Sequence, residues 1–166
     1  SFFLMIRRPP RSTQGVASSS SDVYTRQVTN TSIEQLVRDR AAVVDRAILS
    51  AWKRCAAPLQ TRASLVAVGG YGRHELHPSS DVDLLIILPD SERVQHQSLA
   101  KFLAFLWDIG LEVGHSVRTV AECRNESRDD ITVATTLMES RLLAGPEELF
   151  SRMQSAVGPT ELWSAR

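Results

Sequence analysis

The chain has no surplus of either charge: 19 lysines and arginines face 19 aspartates and glutamates, for a formal net charge of zero over 166 residues. Without a basic excess, neither a nucleic-acid backbone nor an anionic membrane is an expected partner. Cysteine is scarce. Cys55 and Cys123 are the two present, without CxxC spacing and in helix-like segments, which suits a reducing, cytoplasmic setting. His74 and His77 have no further histidine or cysteine at ligand spacing, which argues against zinc. No apolar run approaches the roughly 20 residues of a membrane-crossing helix, and there is no internal repeat. What is present, 43% hydrophobic and 23% charged residues, suits one soluble domain with a core of its own.

The ends are read separately. Residues 1–14, SFFLMIRRPPRSTQ, place an apolar run before Arg7, Arg8 and Arg11, the reverse of a secretory signal. They resemble translated adapter read-through and are expected to be a non-native leader. Residues 15–30, with GVASSSSD, are small and polar and read as a flexible linker. Residues 31–157 form the expected domain, truncated on its C-terminal side, and 158–166 a tail.

Within the domain, Thr31 and Glu34 have capping-box spacing. Ile33, Leu36, Val37, Val44, Ile48, Ala51, Trp52 and Cys55 recur at helical period before Pro58, predicting a helix over 32–56. Apolar runs predict strands at 65–68 and 82–88; the second is apolar on both parities, as a central strand covered on both faces would be. Ser91 can cap a helix whose stripe runs through Val94, Leu99, Phe102, Leu103, Leu106 and Ile109 to Gly110. Beyond it come a strand over 111–117, a short helix from Thr119 to about 127, a helix over 131–144 closed by Gly145-Pro146, and a helix over 147–157. Trp52, Trp107, Phe102 and Phe105 read as core. This order predicts an α+β fold, a small mixed β-sheet with helices packed on it.

The chemistry lies in VAVGGYGRHELHPSSDVDLLIIL, residues 66–88. In Gly69-Gly70-Tyr71-Gly72, missing Cβ atoms let the backbone turn sharply and offer N–H groups to phosphate oxygens, although the same pattern also makes plain tight turns. No GK[ST] follows, and the spacing is not that of a dinucleotide fingerprint. Asp81 and Asp83, two apart in a strand, share a face. Carboxylates so close raise one another's pKa unless a cation lies between them, and Mg²⁺ favours a few carboxylates plus substrate phosphate. The competing reading, a polar turn of Ser79, Ser80 and Asp81 before a solvated Asp83, loses ground because the acids run straight into a buried strand. Arg73 and Glu75 either neutralise a triphosphate and hold the loop, or form a solvated pair. The hydroxyls of Ser79 and Ser80, after Pro78, either bond phosphate or cap the turn.

GGYGRHELHPSSDVDLLIIL resembles the nucleotidyltransferase signature of the polymerase-β-like superfamily, in particular the N-terminal domain of bacterial PII uridylyltransferase/uridylyl-removing enzymes. The likeness continues through FLAFLWDIGLEVGHSVRTVAEC and DDITVATTLMESRLLAG, covering roughly residues 32–150. It implies a polymerase-β-like nucleotidyltransferase fold and transfer of UMP from UTP to a tyrosine of the PII nitrogen-regulatory protein, releasing pyrophosphate. It further implies Mg²⁺ held by Asp81 and Asp83, nucleotide bound by Gly69, Gly70, Gly72, Arg73 and Ser80, and a third catalytic carboxylate. Glu112 is the candidate for that carboxylate; the plainer reading is an exposed strand-end residue. His115 and Arg118 face either the nucleotide or packing partners. His74 departs from the pattern, standing where the family has glycine. No HD dipeptide occurs, so UMP removal and glutamine regulation are not expected of this chain alone. Two alternatives remain open: another transferase of the superfamily, such as an adenylyltransferase, and a catalytically silent nucleotide-binding module.

Overall fold

The computed structural model describes residues 32–90 and 96–159. The expected leader, the linker, Thr31, Ser91, Val94 and the end of the tail lie outside the described residues.

Helix α1, Ile33–Cys55, starts at Ser32, whose side chain accepts from the Gln35 N–H. It buries Val37, Ala41, Val44, Ile48, Ala51 and Trp52 at helical spacing and ends before a 3₁₀ turn, Ala57–Leu59, that contains Pro58. Strand β1, Ser64–Ala67, leads into a single helical turn, α2, Gly69–Gly72. Strand β2 is Val82–Leu88 and helix α3 is His96–Asp108. Helix α3 closes as expected at Gly110, whose φ is +84°. There the Leu111 N–H reaches Leu106 O and the Gly110 N–H reaches Trp107 O, the paired bonds of a Schellman end. Because Leu111 serves this closure, strand β3 begins later than predicted, at Val113–Thr119. Thr119 and Glu122 form a reciprocal capping box that opens α4, Val120–Asp129. Asp130 caps α5, Ile131–Met138, and α6 spans Glu147–Val157.

The predicted helix over 131–144 is corrected. Helix α5 ends at Met138, and Arg141–Ala144 is a fourth strand, β4. Leu142 packs on one side of the sheet and Leu143 on the other, the two-residue alternation of a strand. Pairing with the free edge of β1 outweighs the helical preference of Glu, Arg, Leu and Ala, since backbone groups beside a buried edge need partners.

The sheet order is β3-β2-β1-β4: β1 runs antiparallel to β2 and β4, and β2 runs parallel to β3, so the sheet is mixed as predicted. Central β2 is covered on both faces. Leu84 and Ile86 join the layer under α1 and α3, where Trp52 meets Phe102 edge-on at 5.1 Å. Leu85 and Ile87 join the layer formed with Cys123, Leu137, Leu149, Met153 and Val157 of α4–α6. Burying each such aliphatic side chain contributes about 1.5–3 kcal/mol. The end of β1 and the starts of β2, β3 and β4 all lie at the same edge of the sheet.

Candidate active site

That edge carries the glycine turn and both aspartates. The Val68 N–H donates to Asp83 O at 3.1 Å, tying the residue before Gly69 to the backbone of the acid pair. Gly69 has φ +59°, a conformation an L side chain rarely adopts, and it swings the chain from β1 into α2. Within the bend, the N–H groups of Gly72, Arg73 and Glu75 donate to Val68, Gly69 and Gly70 O respectively. The N–H groups at the start of a helical turn have no partners inside it, and Gly70 and Tyr71 stand at that position in α2.

The Asp83 side chain projects from the otherwise buried β2 strand and is exposed. Partial desolvation, and then the charge of Asp81, push its pKa above the usual carboxylate range. Asp81 is exposed. A pair of mutually repelling oxygen donors, one of them partly desolvated, gains from a divalent cation, and two carboxylates completed by phosphate oxygens suit Mg²⁺. The donor set therefore fits that ion.

Glu112 directly precedes β3, and its carbonyl accepts the Val82 N–H at 2.8 Å. With Val82 opposite Val113, it stands beside Asp81 at the strand starts. Its side chain is exposed and, with Ser79, Ser80, Pro78 and Arg40, lines a recess of about 230 Å³. Among the described residues, no three acidic, histidine or cysteine side chains stand close enough together to hold a metal. The fold thus brings Glu112 beside the pair without gathering the three side chains into one ligand set.

Arg73 and Glu75 pair with each other at 2.9 Å, and Arg73 also reaches the Glu139 carboxylate. The bond to Glu75 comes first among the contacts that stabilise the charged guanidinium. His115 faces the layer of Leu84 and Trp107, its ring edge-on to Trp107 at 6.0 Å, and burial lowers its pKa. Arg118 pairs with Glu126 at 2.6 Å. Both have packing or pairing partners.

His74 has φ +62°, so the glycine missing from this position is missing where the backbone is left-handed. A left-handed L residue costs about 1–2 kcal/mol, less for histidine than for most, while glycine adds about 0.5–1 kcal/mol of unfolded-state entropy. His74→Gly is expected to stabilise the protein by about 0.5 kcal/mol net, read as a higher urea midpoint at unchanged slope. A lower midpoint would contradict it.

Four residues that hold the turn escaped the sequence reading: Asp45, Tyr71, Glu139 and Arg141. The Arg141 guanidinium grips Asp45 through two bonds of 2.9 and 3.1 Å and donates to Tyr71 O and Gly72 O, both at 3.4 Å. It also lies 5.5 Å from the centre of the Tyr71 ring. The Tyr71 hydroxyl donates to Asp45. Burial, then Asp45, raise its pKa and keep it a neutral donor. One signal was available: Asp45 interrupts the apolar stripe of α1 between Ala41, Val44 and Ile48, where an unpaired charge would be costly.

The profile of the family described as "Nucleotidyltransferase domain" matches residues 48–141, from within α1 to Arg141. Similar curated proteins carry the name bifunctional uridylyltransferase/uridylyl-removing enzyme. That of Ectopseudomonas mendocina is 52% identical over 135 residues, covering 81% of this chain and 15% of the relative. That of Pseudomonas entomophila is 50% identical with the same coverage, and that of Nitrosococcus oceani 46% identical over 142 residues, covering 85% and 16%. The chain therefore spans about a sixth of the length of these relatives.

Proposed function

The chain belongs to the nucleotidyltransferase domain family, and from that premise we propose that it transfers UMP from UTP to a tyrosine hydroxyl of a PII-type regulatory protein, releasing pyrophosphate. The observation that carries this reading is the Val68–Asp83 bond, which sets the glycine turn against the carboxylate pair at one edge of the sheet. The names of the similar proteins supply the nucleotide.

In this reading the N–H groups at the start of α2 receive the phosphates. Arg73, between Glu75 and Glu139, keeps a positive charge at the far end of the turn. Asp81 and Asp83 would hold Mg²⁺, which supplies neutralisation of the triphosphate and of the charge that develops on the leaving group. The tyrosyl oxygen bonds to the α-phosphorus, the α–β bridge bond breaks, pyrophosphate leaves with the electron pair, and the phenolic proton is released. The protein's share is alignment and charge. The recess lined by Ser80 and Glu112 lies next to these acids and offers room for part of a substrate. No helix among the described residues is long and apolar enough to cross a membrane, and a cytoplasmic site of action accords with the two free cysteines.

With PII protein and Mg²⁺, label from α-labelled UTP is expected on a PII tyrosine, at least about tenfold faster than label from ATP, a preference worth about 1.4 kcal/mol. Preference for ATP would identify an adenylyltransferase. Binding of Mg-UTP without transfer would leave a nucleotide-binding module.

A further inference from the structure

We propose that Gly114 is a positioning residue for Asp83: the absent side chain on β3 is the space into which the Asp83 carboxylate fits. The two residues are Cα partners across the parallel β2–β3 pair, so their side-chain directions coincide. A Cβ built on Gly114 would lie 2.5 Å from Asp83 Oδ1 and 3.7 Å from its Cγ. Backbone conformation does not explain this glycine, because its φ is not among the positive ones. Glycine within a strand weakens pairing and packing, and its presence there commonly marks the close approach of another group.

The nature of the obstacle distinguishes Gly114 from the other tightly packed glycines. At Gly72 and Gly145 a Cβ would strike main-chain oxygens, Glu139 O at 2.0 Å and Ala63 O at 2.2 Å, which rigid packing holds in place. At Gly114 it would strike the end of an exposed side chain that turns away at small cost. A methyl group at 114 should therefore leave the fold standing and move the carboxylate. Alanine also suits a strand better than glycine, so stability should not fall.

This proposal rests on Asp83 being a metal ligand, and the test separates the two claims. In full-length Gly114→Ala the melting temperature should stay within about 2 °C of the parent, since a surface-compatible change lies within about 0.5 kcal/mol. The Mn²⁺ concentration that half-broadens the ¹³C signal of the Asp83 carboxyl should rise at least about tenfold, and UMP transfer should fall by a similar factor. Gly114→Val should extend both losses. Unchanged broadening and transfer in Gly114→Ala, beside a dead Asp83→Asn, would overturn the role of Gly114 alone. A markedly lower melting temperature would do so too, because the methyl would then be straining the backbone. Active Asp83→Asn would overturn both claims.

Discussion

Replacing Asp81 and Asp83 together by asparagine should reduce UMP transfer by at least about 10³-fold, which corresponds to roughly 4 kcal/mol of lost transition-state stabilisation. The amides keep the size of the carboxylates and remove the charge that would hold a divalent ion between the turn and β2. Fold stability should not follow activity. Burial and Asp81 raise the pKa of Asp83 above its unfolded value. The folded protein therefore binds the extra proton first, and the stability linked to this group is present below the ordinary carboxylate pKa of about 3.9. It is lost as pH rises through the folded pKa, so above that pKa the ionised Asp83 is a liability in metal-free protein. The double variant should then melt no lower than the parent at pH 7.5, and any gain should shrink as the pH approaches 4. Rapid Mg²⁺-dependent transfer by this variant would remove the basis of the proposed function.

Gly72→Ala should cost about 3 kcal/mol or more of folding stability, at the top of the range for overpacking. The new methyl would sit 2.0 Å from Glu139 O, 3.1 Å from Glu139 C and 3.0 Å from Ala67 O. All three are main-chain atoms where α2, β1 and the entry to β4 converge, so no rotamer change relieves the contact. A typical domain has about 5–15 kcal/mol in total, so a large fall in the urea midpoint is expected. A midpoint within error of the parent would mean that the turn and β4 are less tightly packed than described.

The strands and helices with a strong pattern were readable in advance: β2 because both parities are apolar, α1 because its stripe persists for six turns, and α4 because Thr119 and Glu122 announce its cap. Residues 139–144 were misread because ESRLLA has helix-forming residues throughout. Only the open edge of β1, created by segments far away in sequence, makes a strand there preferable. The residues that the fold brings to the candidate site divide by their distance along the chain. Gly69, Asp81 and Asp83 lie within a single stretch whose spacing has chemical meaning. The partners of the turn, Asp45, Glu139 and Arg141, come from α1 and from the far end of the chain, and spacing along a sequence says nothing about contacts made across a sheet.

The grip of Arg141 on Tyr71 and Gly72 spans about seventy residues of chain. As the polypeptide leaves the ribosome from its N-terminus, the whole diglycine segment emerges long before the arginine that clamps it. Closing so long a loop is slow relative to local helix formation. Nascent chains halted before Arg141 should thus possess their acidic strand and their glycines yet lack the finished turn, so under the proposed function any competence to bind nucleotide should arrive late and abruptly during synthesis.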